Sequence, residues 1–535
     1  MNGAGFDGDS IALVIFAAFL AVSVLLCGLA ATDIDEAEQF YTGKGSLGPV
    51  QNGLAIAGDY ISAATVLGTT GSIALAGYDG IMFACATVLS LVLLMLVMAE
   101  PLRSAGRYTL GDVLARRLRE RPARIAMGTA TVLVLFPLLL IQLTAAGKVM
   151  SALLGLSGGG ALTACTVFTG TLMVCYAAFG GMRGTGLVQI LKTVVVLAAI
   201  AVLAGMVLDR FDWSLGRLFD AAAEGNGSGD AYGKPGLQFG DSTAGRFDTF
   251  SFQLTLAVGA ACMPHVTMRL YAARSARALR TSMTWAIGAV AALCAGVVVI
   301  GIGAAALVGS RVIHASDRSG DTALMLLSGA LDPGAGTADN SLLFSFVACA
   351  VFATTLATVA GITLAAASTL AHDLLGRSAL GGKLSVTREV TRARLAVVAL
   401  GSVAVLLAVF TRDWNSEVLI SYTFANAASA LLPVLLYSLF WKGFTTTGMC
   451  WTLYGTLALV LILIAVSPGV SGSPVAIFPD WDFNLFPLQA PGIVTIPAGF
   501  AFGWLGSVFG GGRPEPEEKE WAAAQPPVAD TGFRF

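Results

Sequence analysis

Two apolar stretches of this 535-residue chain carry residues that a plain membrane-length helix would not. Gly58-Asp59 stands at the centre of QNGLAIAGDYISAATVLGTTGSIALAG, and Pro264-His265 in the later half of FSFQLTLAVGAACMPHVTMRLY. Proline removes a backbone donor and collides with the carbonyl four residues back, so the second stretch is expected to open around 260–264. Glycine and aspartate are weak helix formers and are expected to loosen the first at 58–59. An opened helix frees carbonyls for a cation and N–H groups for an anion, and paired breaks in corresponding segments point to a transporter's binding site. Ordinary kinks in a packed bundle would give the same pattern, so both readings stay open at this point. Asp59 and Lys192 are the clearly ionisable groups at depth, with no nucleophile–base pair or metal cluster beside them, so an enzyme is not expected.

The elements that must position these breaks follow from composition. The chain is 56% hydrophobic and 12% charged, about half the charged share of a soluble protein. That excludes a soluble enzyme, a disordered chain and a coiled coil, and the net charge of −2 argues against a nucleic-acid binder. The eight cysteines lie in or beside apolar runs without metal-ligand spacing, which predicts small buried hydrophobes rather than disulfides or metal ligands. Thirteen runs are long enough to cross a bilayer as helices: about 11–30, 50–76, 81–100, 125–147, 160–181, 185–208, 248–271, 282–309, 341–371, 393–411, 417–440, 444–467 and 487–511. Spans two to six and seven to eleven form two sets of five, and the odd number inverts the second set.

With the N-terminus outside, 22 Lys and Arg residues fall in internal segments and eight in external ones, so the positive-inside rule sets that orientation and an internal C-terminus. Arg269 and the arginines after it are read as interface anchors or cytoplasmic-gate partners. Residues 1–511 are expected to form one transmembrane domain, with its core at about 50–208 and 248–440, and 512–535 a disordered cytoplasmic tail. The chain holds no phosphate-binding GxxxxGKS or GxxxxGKT sequence, so an ATP-driven pump within it is not expected.

At the same residues the sequence resembles the sodium:solute symporter family. Phe40-Tyr41-Thr42-Gly43 and the run from Gln51 to Ala64 are similar to that family's first core helix. Tyr176 to Arg183 resembles its YxxxGG signature, Pro264-His265-Val266-Thr267-Met268-Arg269 its PHxxxR block, and Phe352-Ala353-Thr354 with Ala371-His372-Asp373 its eighth core helix. The resemblance runs from about residue 11 to 470 and is closest to the cation/acetate symporters. It implies an all-α integral membrane protein with a leucine-transporter-like inverted repeat of five plus five helices, one extra N-terminal helix and two extra C-terminal ones.

The resemblance also implies a sodium site, with carbonyls from Gly58, Ile61 and Val351 and hydroxyls from Thr354 and Thr355. Against it stands the reading that both threonines simply bond their own helix carbonyls. Asp59 is a coupling candidate; it is equally open to proton uptake, or to N-capping a half-helix that begins near Tyr60. A small anionic solute is expected between the two breaks, held by the N–H groups near Ile61-Ser62 and His265-Val266. Ser62 and Thr65 share a helix face, Gln142 adds a donor, and His265 either donates or packs beside Pro264. Small residues at 256–262 disfavour a polyol, whose hydroxyls would go unpaired, although they also suit close helix packing.

The expected function is therefore sodium-coupled import of a small monocarboxylate such as acetate, propionate or pyruvate across the cell membrane. A sodium symporter of proline or another amino acid is the alternative. Sodium serves as coupling ion with no other cofactor, and the partners are the solute, the ion and the bilayer. No nucleic acid or obligate protein partner is inferred.

Overall fold

A computed structural model describes residues 37–510, apart from 157, 332–341, 377–385, 413, 415, 474 and 475, together with scattered positions between 14 and 28. The expected tail at 512–535 lies outside the described residues, as does most of the first expected span. Among the described residues the regular elements are helices, and nine of them are long and apolar enough to cross a membrane.

In chain order, a short α1 (Ala37–Thr42) leads into α2 (Pro49–Tyr60), a wide turn at Ala64–Gly68 and α3 (Thr69–Ala76). Next come α4 (Tyr78–Ala105), the short α5 (Leu110–Ala115), α6 (Glu120–Leu153) and α7 (Gly159–Arg210). The second set opens with α8 (Thr243–Gly259) and α9 (Pro264–Thr267), followed by α10 (Ala276–Leu307), α11 (Leu343–Leu374) and α12 (Val390–Phe410). Helices α13 (Ser416–Phe440), α14 (Thr446–Ala465) and α15 (Gly492–Phe509) complete the bundle. Of the nine long helices α11 has the most buried apolar window, 83%, and it packs on α6 and α7, which places it at the centre.

Local sequence explains the ends. Ser242 caps α8 by accepting the Gly245 N–H, and Ser275 caps α10 by accepting the Ala278 N–H. Helix α8 ends at Gly259; the chain passes through a short turn at Ala260–Cys262 and an extended Met263, and Pro264 starts α9. That opening lies in the expected interval, and proline suits the first helical position because the N–H it lacks would have no partner there.

The first break differs from expectation. Helix α2 runs through Gly58-Asp59 to Tyr60, and the chain leaves helical geometry at Ile61 (φ −74°, ψ 100°). Gly58 serves approach rather than unwinding: a Cβ there would stand 2.8 Å from both Cβ and the carbonyl oxygen of Gln189 on α7.

Helix α7 holds two of the expected spans. Its 52 residues would run roughly 78 Å if straight, against about 30 Å of hydrocarbon, so it cannot cross once as a rod. Gly181 divides it, at φ 53° and ψ −161°. Only glycine adopts that geometry without strain, so Gly181→Ala is expected to cost about 1–3 kcal/mol, read as a lowered unfolding temperature of the purified protein.

Candidate functional site

The site is built around the open end of α2. Asp59 lies in that helix's last turn, so it does not cap a following half-helix; this corrects the capping reading. A helix C-terminus carries partial negative charge, and a carboxylate there is unfavourable unless it is matched. Two groups match it. Arg269 forms an ion pair with Asp59 Oδ2, both side chains only 2% exposed, and Gln189 Nε2 donates to Oδ1 at 2.6 Å. Arg269 is thus no interface anchor: the tight turn Met268–Ala272 after α9 keeps it inside. Asn52 Nδ2 reaches its backbone carbonyl at 3.5 Å.

Gly361 on α11 completes this pocket. A Cβ at that position would stand 2.8 Å from Asp59 Oδ1 and 3.1 Å from Gln189 Nε2, so only glycine lets α11 close on the pair. His265 lines a cavity of about 10 Å³ with Asp59, Arg269, Thr185 and Gly361, room for roughly one water. Its Nδ1 has no partner among the described residues.

One residue earlier, the Gly58 carbonyl is held by a side chain that sequence reasoning had singled out only for its depth. Lys192 Nζ donates to Gly58 O at 2.5 Å and to Thr358 Oγ1 at 2.8 Å, and Thr358 Oγ1 donates to Ile61 O at 3.2 Å. Two carbonyls expected to meet sodium therefore share one hydroxyl–amine chain. Thr354 and Thr355 lie four and three residues before Thr358, on neighbouring positions of the same helix. Their hydroxyls donate to Ala350 O at 2.9 Å and to Phe352 O at 2.8 Å. A hydroxyl that gives its proton to a carbonyl keeps its lone pairs, so the donor set still suits a hard cation. Val351 lies buried within the unbroken run of α11.

Beyond the break, three of the four expected solute residues come together. Gln142 Oε1 on α6 accepts the Ala63 N–H at 3.2 Å, so its orientation is fixed by the start of the new helical run. Its Nε2 is then left without a partner among the described residues, although Gln142 is fully buried. Ser62 Oγ and Thr65 Oγ1 lie 3.1 Å apart, and Thr65 Oγ1 donates to Tyr60 O at 3.0 Å. His265 lines the cavity on the Asp59 side and makes no side-chain hydrogen bond to these three among the described residues.

A second polar cluster gathers near the Asp373 end of α11. Arg124 Nη1 bonds Asp112 Oδ1 at 2.7 Å and Asp373 Oδ1 at 3.0 Å, and His372 Nε2 lies 3.1 Å from Asp112 Oδ1. Asp112, His372 and Asp373 have atoms close enough to share a metal ion, but the Arg124 guanidinium already supplies the positive charge that a metal ion would bring to the two carboxylates. Burial pushes the Asp112 carboxyl upward; the His372 hydrogen bond and charge and the Arg124 charge outweigh it and hold the group well below the usual range.

The chain matches the sodium:solute symporter family over residues 40–455. It belongs to that family. A Corynebacterium glutamicum protein named monocarboxylic acid transporter is 35% identical over 516 residues, 95% of this chain and 92% of its own. The uncharacterized symporter YwcA of Bacillus subtilis is 36% identical over 502 residues, 93% of this chain and 94% of its own. Among solved structures, a sodium-coupled sialic acid symporter in a substrate-bound outward-open state superposes with a TM-score of 0.70 at 13% identity, over 94% of this chain and 99% of that one. Mhp1, a nucleobase-cation-symport-1 transporter in a closed conformation, gives 0.54 at 13% identity, over 91% and 95%. These likenesses establish the transporter fold of this sodium:solute symporter family member; its residues must carry the rest.

Removing one partner of a buried ion pair costs about 3–5 kcal/mol. Asp59→Asn is therefore expected to lower the unfolding temperature sharply and abolish uptake. Adding Arg269→Gln should recover part of the stability without uptake, a coupling that a double-mutant cycle measures.

Proposed function

We propose that this family member imports a small monocarboxylate, acetate, propionate or pyruvate, together with sodium. It does so from the cell membrane, with the N-terminus outside and the C-terminus inside. The observation that carries the solute class is the buried, unpartnered Nε2 of Gln142 beside Ser62 and Thr65 at the open end of α2. A carboxylate accepts from such a donor and from the Ser62 hydroxyl, the Thr65 proton being given to Tyr60 O, whereas a solute without an acceptor would leave a buried N–H unpaired. The name of the 35% identical relative agrees with that class. His265, on the facing half-helix, takes part where the solute reaches the cavity beside Asp59.

For sodium, the supporting chemistry is the oxygen set of Gly58, Ile61, Val351, Thr354 and Thr355 around a helix break. These groups offer hard ligands without a full charge of their own. Asp59 follows Gly58 in the chain and carries the Arg269 guanidinium, close enough for ion arrival to be felt at the pair.

Uptake of labelled acetate, propionate, pyruvate and proline into proteoliposomes, with and without an inward sodium gradient, tests both halves. Sodium-stimulated carboxylate uptake is expected, and proline transport unaffected by acetate would refute the solute class. Gln142→Leu should raise the KM for the carboxylate about tenfold or more, since a hydrogen bond to a charged group contributes roughly 1.5–3 kcal/mol. Thr354→Ala should raise the sodium concentration for half-maximal uptake about tenfold, equivalent to about 1.4 kcal/mol of ion binding. Unchanged sodium dependence would count against the ion site.

A further inference from the structure

We propose that Lys192 is a tethered stand-in for the coupling ion: its ammonium occupies the Gly58 carbonyl when sodium is absent, and sodium binding displaces it. The inference rests on the sodium reading above and adds to it a residue that the expected donor set does not contain.

The geometry has three parts. Lys192 Nζ is 2.5 Å from Gly58 O, and through Thr358 it is linked to Ile61 O as well. A single side chain thus engages, directly or through one hydroxyl, both open-end carbonyls that would face a cation. Lys192 is also completely buried, and Gln189 packs so closely on the Gly58 Cα that a Cβ there would stand 2.8 Å from it. An ammonium and a sodium ion on neighbouring lone pairs of one buried oxygen would repel each other with little solvent to screen them. One must leave for the other to bind.

The exit is beside it. Asp59 is the next residue, its carboxylate held by Gln189 and Arg269, and the charged or titratable groups around the lysine are Asp59, Arg269 and His265. Each carboxylate oxygen accepts more than one hydrogen bond, so the ammonium can shift from the Gly58 carbonyl toward Asp59 without losing a partner. Such a shift would weaken the hold of Asp59 on Arg269, carrying ion arrival from α2 to α9. The empty site would keep its shape because a built-in cation fills it.

Lys192→Met removes the competing charge and retains the length of the side chain. In the purified protein, the sodium concentration that gives half of the sodium-induced rise in unfolding temperature is expected to fall about tenfold relative to the native chain. The sodium requirement for carboxylate uptake should fall in parallel. Lys192→Gln, which keeps a donor toward Gly58 O without the charge, should act in the same direction and serves where the methionine variant does not accumulate. A sodium requirement unchanged or raised in the variants, with the native protein responding normally, would overturn the stand-in role alone. No thermal response to sodium in the native protein or in either variant would instead overturn the sodium reading on which the role rests. A response that appears only once the lysine is replaced would support the stand-in.

Discussion

A carboxylate at the carbonyl end of a half-helix, deep in an apolar bundle, persists only because a guanidinium meets it. Asp59 meets adverse helix charge from behind and apolar surroundings on every side, and Arg269 offsets both. Much else is arranged for that contact. Gly58 and Gly361 clear space for it, Gln189 supplies the second hydrogen bond, and the tight turn after Pro264 draws an arginine into the core, away from Arg274, Arg277 and Arg280 that follow it. The two breaks are therefore joined by charge, beyond any role in binding a solute.

The pair also divides the chemistry of the region. On one side of it stand the small cavity and His265; on the other stand the open carbonyls of α2 with Lys192 and Thr358. Further along the chain, Gln142, Ser62 and Thr65 form a group with one buried donor to spare. The Arg124 cluster repeats the same physical device near the end of α11, where one guanidinium gathers two carboxylates and His372 bonds one of them, Asp112. In both places a buried or half-buried carboxylate is matched by arginine, which is permanently charged and able to bond in several directions.

How much of this was legible in the sequence depended on the kind of signal. Hydropathy marks nearly every span, because a membrane imposes the same demand on each segment separately. Pro264 marks its break because the missing N–H is a local fact. Gly58-Asp59 misplaced the first break by about two residues: glycine has two uses, loosening a helix and letting another approach, and sequence alone does not say which applies. Arg269 read as a loop anchor since its neighbours Arg274, Arg277 and Arg280 suit that role, and only the fold reveals that it turns inward. Gln189 and Thr358 were missed, although Gln189 stands three residues before Lys192 on an otherwise apolar helix and Thr358 four after Thr354. Polar residues at such intervals on one membrane helix were the available clue.

The division of α7 at Gly181 has a consequence for how the protein is made. Two crossings joined through one residue have no hydrophilic loop between them that can wait on either face of the membrane. Neither can be released into lipid as a lone stop-transfer or signal-anchor segment and later joined by the other. They would leave the insertion machinery as a hairpin, while Gln189 and Lys192 find their hydrogen-bond partners in α2 and α11. The glycine that permits the hairpin would be needed at insertion, before those two helices are packed against it.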